Sequence, residues 1–189
     1  MEHLTVKPDV IDAMFRQVKT NETKPYKNHK IPGIIFATEY DLGSNEFAYS
    51  DIDFANYRVD TGVHTSWNKG NVMRNDGVDI QVSTDKKTNG YEVFDIHDGE
   101  WLQFTASVEE DGDYKVLIRY ANTTGTGQLH LENEAGALSD AIELPITEAL
   151  EYDTVEIPQV HLSKGQNKIK VVFDTGGFHL NYLDFQKDK

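Results

Sequence analysis

Two stretches of strictly alternating apolar and polar residues limit this chain to a β fold more strongly than any other feature. The apolar positions are Leu102, Phe104, Ala106 and Val108 in the first stretch and Tyr114, Val116, Ile118 and Tyr120 in the second. A period of two puts alternate side chains on one face of a strand, so each stretch predicts a strand with one buried face. Because the turn-forming pair Asp111-Gly112 separates the two stretches, we predict that they form a hairpin.

Shorter alternating runs continue along the rest of the chain. They comprise Leu129 with Leu131, Val155 with Ile157, Val160 with Leu162, and Ile169 with Val171 and Phe173. Seven or more short strands without helical periodicity between them are typical of a two-layer β protein. The predicted fold class is therefore all-β: an antiparallel β-sandwich of the jelly-roll type.

The first thirty residues differ from the remainder. Apolar residues follow Asp9 at helical spacing, namely Val10, Ile11, Met14, Phe15 and Val18, which predicts a short amphipathic helix over residues 9–19. A polar, proline-containing segment over residues 20–30 is typical of a linker. We therefore divide the chain into residues 1–30 and a domain at 31–189. The helix either folds back on this domain or is the edge of an upstream domain.

Charge and composition exclude several classes of partner. Acidic residues outnumber basic ones by 32 to 18, giving a net charge of −14, which disfavours nucleic acid and anionic membranes and suits a neutral partner or a cation. The chain has no cysteine, so disulfides and thiolate zinc sites are excluded. No apolar run has the length of a membrane span, and the first residues lack the pattern of a secretion signal.

Six short segments together resemble carbohydrate-binding module family 6, a family of β-jelly-roll modules attached to polysaccharide-degrading enzymes. The segments are Ile31–Asp41, Ala48–Asp51, Arg74–Ile80, Asn89–Val93, Gly99–Phe104 and Gly176–Tyr182. They follow the family's order across residues 31–185. The resemblance implies a sugar-binding sandwich rather than an active site.

In that family, a familiar site at the loop end of the sandwich holds a sugar between two aromatic rings and an asparagine. The corresponding positions of this chain are altered: Phe94 and Asp95 replace the first ring, Tyr152 is the aromatic residue nearest to the second, and His179 replaces the asparagine, although Asn181 is retained. Trp67, in a polar loop, is a further candidate platform. We expect a site rebuilt from these six residues or, alternatively, binding on the concave face of one sheet.

The same resemblance implies a structural calcium ion. Modules of the family commonly hold calcium through glutamates of the first strand and an aspartate near the C-terminus. Asp184 matches the aspartate, but the glutamate positions are Phe36 and Thr38. The loss of two carboxylates would weaken such a site, which Glu39 and Asp85 could complete together with Asp184; the alternative is that the chain holds no cofactor.

The functional expectation is a non-catalytic, monomeric module that targets an attached glycoside hydrolase to a plant or algal polysaccharide such as xylan, β-glucan or agarose. No catalytic or nucleotide-binding motif is present. The alternative is an accessory domain that has lost sugar affinity and packs on an upstream catalytic domain of the same polypeptide. Either role implies an exported protein that acts outside the cell, in the periplasm or at the cell surface. The residues do not select the glycan.

Overall fold

Two β-sheets account for most of the computed structural model, which describes residues 21–52, 72–74, 76–149 and 151–188. The described strands are β1 (His29–Ile31), β2 (Gly33–Phe36), β3 (Tyr49–Ser50), β4 (Ile80–Val82), β5 (Tyr91–Val93), β6 (Trp101–Val108), β7 (Gly112–Ala121), β8 (Gln128–Asn133), β9 (Gly136–Ala137), β10 (Ile142–Glu143), β11 (Asp153–Leu162), β12 (Gly165–Thr175) and β13 (His179–Lys187). A short 3-10 helix at Ala37–Glu39 follows β2. The predicted helix over residues 9–19 and Trp67 lie outside the described residues.

The strands form a sandwich of one seven-stranded and one six-stranded sheet. The first has the order β1-β6-β12-β8-β10, with β3 beside β6 and β9 beside β8; the second has the order β11-β7-β13-β5-β4, with β2 beside β13. The described pairings are antiparallel except that between β1 and β6, which is parallel. The predicted all-β sandwich is confirmed.

The predicted hairpin between residues 102 and 120 is wrong, although its buried positions are correct. Leu102 and Phe104 of β6 and Val116 and Ile118 of β7 are all buried in the core. The two strands nevertheless belong to opposite sheets, because β6 pairs with β12 whereas β7 pairs with β11 and β13. Alternation fixes the face that a strand buries but not its neighbour, and strands in facing sheets show the same pattern as a hairpin.

The predicted boundary at residue 30 falls inside β1. Backbone hydrogen bonds of 2.8 and 2.7 Å join Lys24 to Leu42, and the Gln103 side chain donates to the Thr23 hydroxyl at 3.2 Å. Residues 23–30 therefore belong to the sandwich rather than to a linker.

The described part of the chain contains no helix with the length and apolar character of a membrane span.

Two bulges shape the six-stranded sheet. One interrupts the edge strand β11 between Ile157 and Val160, where Pro158 and the left-handed Gln159 (φ 55°) disrupt the ladder and protect the edge from pairing with another chain. The other lies in β13 between Leu180 and Tyr182 and adds Asn181 to the strand. As a result, the side chains of Leu180 and Asn181 are both buried, while His179 at the start of β13 stays partly exposed.

Candidate functional site

A buried glutamate organises a polar cluster at one end of the six-stranded sheet. Val93 of β5 packs in the core, so the preceding Glu92 points to the outer face of the sheet. Its side chain is only 1% exposed. Each carboxylate oxygen accepts two hydrogen bonds: Oε1 from the Gln81 amide at 2.8 Å and His179 Nδ1 at 3.0 Å, and Oε2 from the hydroxyls of Ser83 and Tyr152, both at 2.7 Å.

These four donors keep Glu92 ionised. Burial by itself would raise the pKa of the Glu92 carboxyl, because a charge is poorly solvated away from water. The hydrogen bonds from His179, Gln81, Tyr152 and Ser83 outweigh burial and leave the pKa below its ordinary value. Glu92 is therefore a fixed negative charge whose acceptor positions are filled by the protein.

His179 and Phe94 form the exposed edge of the cluster. His179 begins β13 and Phe94 directly follows β5, so adjacent antiparallel strands bring the two side chains to the same end of the sheet. The rings meet edge to face, with centroids 6.1 Å apart and planes at 80°. The His179 side chain is 40% exposed and Phe94 is half-buried. Both rings therefore present surface to solvent.

Tyr152 forms the other side of the cluster, just before β11. Its hydroxyl lies 3.4 Å from Ser83 Oγ and 3.3 Å from Thr84 Oγ1, in addition to the bond to Glu92. Arg119 of β7 donates to the Tyr152 carbonyl at 2.9 Å, and its guanidinium carbon lies 5.7 Å from the ring centroid. The pKa of the Tyr152 phenol is raised, mainly because the phenol is partly buried. Tyr152 is thus half-buried, and its hydroxyl and carbonyl are held in place by Glu92 and Arg119.

A second buried carboxylate, that of Asp85, holds Arg119 and Asn181 next to this cluster. Arg119 binds Asp85 through two nitrogens, with Nε to Oδ2 at 2.7 Å and Nη2 to Oδ1 at 3.1 Å. Asn181 donates to the same Oδ2 at 3.0 Å. Burial would raise the pKa of Asp85, but the bonds from Arg119, the Lys87 backbone and Asn181 lower it overall. Because two of its nitrogens bind the Asp85 carboxylate, the positive charge of Arg119 is paired within the protein.

The structure brings together three of the six predicted sugar-binding residues. Phe94, Tyr152 and His179 converge around Glu92. Asp95 lies beside Phe94 in a left-handed conformation (φ 52°), with Oδ2 3.9 Å from His97 Nε2. Asn181 is fully buried and bonds Asp85, so its position in the fold is that of a support rather than a contact surface.

Glu92, Gln81 and Arg119 also belong to the site, although the sequence pattern did not predict them. Glu92 is separated from its partners by 11 residues for Gln81, 60 for Tyr152 and 87 for His179. The one local signal is a charged residue inside the short strand Tyr91–Val93. Such a residue ordinarily faces solvent on the open side of a sheet, so its burial follows only from the tertiary contacts.

The described residues do not fit the predicted calcium site. Glu39 is bound by the Lys27 ammonium at 2.6 Å, Asp85 by Arg119, and Asp184 accepts from the Gln186 amide at 2.7 Å. At the family's glutamate positions, Phe36 packs edge to face on Tyr182 and Thr38 bonds Asn89. No group of three or more His, Cys, Asp or Glu side chains placed to hold a metal ion occurs in the part of the chain that the structure describes. Each predicted ligand binds a protein group, although Oε2 of Glu39 is buried without a hydrogen-bond partner among the described residues.

The cluster has the chemistry that a sugar requires. A pyranose presents apolar C–H faces and a rim of hydroxyls, and half-buried rings with nearby polar groups complement both. Phe94, Tyr152 and His179 supply rings, while Thr84 and Asp95 supply polar groups beside them. Because Glu92 fixes the positions of Tyr152 and His179, this part of the site is preformed.

Solved structures with the same fold include carbohydrate-binding modules. A family 6 module from Cellvibrio mixtus lichenase 5A in complex with cellotriose is 27% identical over 60% of this chain and 88% of its own, with a TM-score of 0.53. A β-1,3-glucan-binding family 6 module from Bacillus halodurans shares the fold (18% identity, 85% and 99% coverage, TM-score 0.59). So does part of a family 43 arabinoxylan arabinofuranohydrolase from Bacillus subtilis (17%, 86% and 28%, 0.58).

The family assignment comes from the sequence itself. No functionally curated protein matches the chain. The predicted resemblance to carbohydrate-binding modules is confirmed, but the family model that matches residues 74–185 is that of "Carbohydrate binding module (family 35)" rather than family 6. That match covers more than half of the 189 residues, from Arg74 through β13. The chain therefore belongs to carbohydrate-binding module family 35.

Proposed function

We propose that this chain is a non-catalytic module that binds polysaccharide through the cluster of Phe94, Tyr152 and His179 around Glu92. The observation that carries the proposal is their convergence: three predicted sugar-binding residues from distant parts of the chain meet at one partly exposed surface. The relatives named above, which include a module in complex with cellotriose and one that binds β-1,3-glucan, support this assignment.

The biological role that follows is targeting. Xylan, β-glucan and agarose-like glycans of plants or algae are the proposed ligands, and a glycoside hydrolase in the same polypeptide is the proposed partner. Part of a larger arabinofuranohydrolase has the same fold, which supports such an attachment. A tethered module raises the local concentration of its enzyme on an insoluble substrate even when each contact is weak. Because such substrates lie outside cells, we place the protein in an exported enzyme.

Affinity electrophoresis against soluble β-glucan, xylan and agarose tests the proposal. We expect retardation by at least one glycan, and His179→Ala or Phe94→Ala to weaken binding by about tenfold, the equivalent of one lost hydrogen bond or ring contact of about 1.4 kcal/mol. Trp67→Ala tests the remaining predicted platform. Retardation by none of the glycans would contradict the proposal and favour an accessory domain that has lost sugar affinity.

Phe36→Ala is the matched control. Phe36 is a half-buried ring on the outer face of the same sheet, where it contacts Tyr182 instead of the cluster. We expect Phe36→Ala to leave retardation unchanged. The reverse result, with loss of binding in Phe36→Ala and none in the cluster variants, would move the site along the sheet.

A further inference from the structure

The contact between His179 and Glu92 determines which ring nitrogen carries the proton. His179 Nδ1 lies 3.0 Å from Glu92 Oε1, a hydrogen-bonding distance. One of the two atoms must donate. Glu92 accepts from three other donors, and the low pKa of its carboxyl keeps it ionised, so it has no proton to give. The proton of the neutral imidazole is therefore on Nδ1.

Gln81 does not change this conclusion. Its Nε2 lies 3.3 Å from His179 Nδ1 but 2.8 Å from Glu92 Oε1. The amide has two protons and donates one of them to Oε1. Donation of the other to Nδ1 would require an unprotonated Nδ1, whose lone pair would then face the Glu92 carboxylate at 3.0 Å with no proton between them, so the Nδ1 proton still points to Oε1. Glu92 Oε1 thus accepts from both neighbours, which fixes the orientation of the imidazole ring.

The second ring nitrogen of His179 is available to a ligand. Nε2 points away from Glu92 because Nδ1 faces the carboxylate, and the side chain is 40% exposed. Within the described part of the chain, Nε2 has no hydrogen-bond partner. A neutral imidazole with its proton on Nδ1 presents a lone pair at Nε2. In the neutral ring, Nε2 of His179 is consequently an acceptor.

Two other charged groups of the site bear on which ligand group can bind next to Nε2. Arg119 is bound to Asp85 through two nitrogens, and Asp95 adds a carboxylate beside Phe94. A sugar hydroxyl can donate to Nε2, whereas a carboxylate has only lone pairs to offer and would meet an acceptor and a nearby negative charge.

We propose that Glu92 is a positioning residue that fixes His179 as a hydrogen-bond acceptor, so that the site selects a hydroxyl of a neutral glycan and rejects the carboxylate of an acidic one. This inference rests on the proposed sugar site. It distinguishes His179 from the asparagine expected at this position, since an amide can donate as well as accept.

The first test needs neither ligand nor variant. Long-range ¹H–¹⁵N spectra of the labelled protein at about pH 8, above the usual titration range of imidazole, report which nitrogen of His179 carries the proton. We expect a protonated Nδ1 and an unprotonated Nε2. The opposite tautomer would overturn the inference whether or not the protein binds any glycan. Gln81→Ala should keep the Nδ1 tautomer, whereas Glu92→Ala, which removes the acceptor, should lose it.

The second test compares neutral β-glucan, xylan and agarose with their carboxymethylated forms. Measurement at about 0.5 M salt screens the net charge of −14, so that the remaining discrimination reports the site. We expect the neutral glycan that binds to be preferred by about tenfold or more, and His179→Asn to reduce that preference severalfold. Tighter binding of the carboxymethylated form would overturn the inference. If no glycan binds, the proposed function fails, and the tautomer alone decides the role of Glu92.

Discussion

The phenolic hydroxyl of Tyr152 donates a hydrogen bond of 2.7 Å to Oε2 of Glu92, although the two residues are 60 positions apart in the sequence. Tyr152 lies just before the edge strand β11, whereas Glu92 lies in β5 on the far side of β13 and β7. The bond therefore joins residues of two strand regions that are not neighbours in the sheet. It couples the segment that precedes β11 to the buried centre of the candidate sugar site.

Removal of this hydroxyl should destabilise the fold moderately. In Tyr152→Phe, Oε2 of Glu92 retains only the bond from Ser83, and a buried carboxylate that loses a donor costs about 1–3 kcal/mol. Thermal melts should show a lower midpoint. Tyr91→Phe is the control, because the Tyr91 hydroxyl makes no hydrogen bond to a described residue; an equal loss in both variants would contradict the role assigned to Tyr152.

The two buried carboxylates predict a loss of stability in acid. The pKa values of Glu92 and Asp85 are both lower in the folded protein than their ordinary values. Their contribution is complete above the unfolded-state pKa of about 4 and is lost as the pH falls towards the folded-state values. The melting temperature should therefore decrease when the pH is lowered beneath about 4. The double variant Asp85→Asn, Glu92→Gln should have a flatter profile, and an unchanged acid limb would refute the assignment.

His29 predicts a separate dependence at higher pH. Burial lowers its pKa and outweighs the opposing effect of Glu39, so the folded state favours the neutral ring. Nε2 donates to the Glu39 carbonyl at 3.0 Å, and the buried Nδ1 has no hydrogen-bond partner among the described residues, with Glu39 Oε2 3.9 Å away. As the pH falls below about 6.5, the unfolded chain gains a proton that the folded chain resists, so stability declines.

The measurement for His29 is the slope of unfolding free energy against pH between about 5 and 7. His29→Gln should reduce this slope, whatever its effect on absolute stability. His161→Gln is the comparison, since His161 is 68% exposed and bonds only Asp113 at 2.8 Å. A slope that disappears in His161→Gln but persists in His29→Gln would contradict the prediction.

The turn that leads into β13 should not tolerate a side chain at Gly176. A Cβ there would lie 2.1 Å from the Ile96 carbonyl oxygen and 2.7 Å from its carbon. These are backbone atoms, so Gly176→Ala should cost about 3 kcal/mol or more and disturb the entry to His179. Gly99→Ala is the matched control: it has open space around its Cβ but a φ of 82°, which costs about 1–2 kcal/mol. Equal melting temperatures of the two variants would refute the close approach.

Calcium can be tested directly by thermal melts with added calcium and with a chelator. A bound structural ion stabilises the folded state by mass action, so its removal lowers the melting temperature. Because Lys27, Arg119 and Gln186 occupy the three predicted ligands, we expect no change between the two conditions. A lower midpoint with chelator would show that calcium binds despite these contacts.

The sequence by itself determined the class of fold and the buried face of the long strands β6 and β7. The alternating positions in β6 and β7 are buried as predicted, because a period of two fixes which side chains share a face. The segments around Arg74–Ile80 and Gly176–Tyr182 indicated a carbohydrate-binding module, and the matching family model confirms the type while assigning family 35. These features are local in sequence, so they are readable without a structure.

Only the tertiary structure decided strand neighbours and the composition of the site. The pairing of β6 with β12 and of β7 with β13 depends on which sheet each strand joins, and strand periodicity contains no information on this choice. Glu92, Gln81 and Arg119 gained their roles from partners in other strands. The bulge in β13 adds Asn181, which is buried and bonds Asp85, whereas the His179 side chain two positions earlier is 40% exposed. One extra residue in a strand thus separates a surface residue from a buried support two positions away.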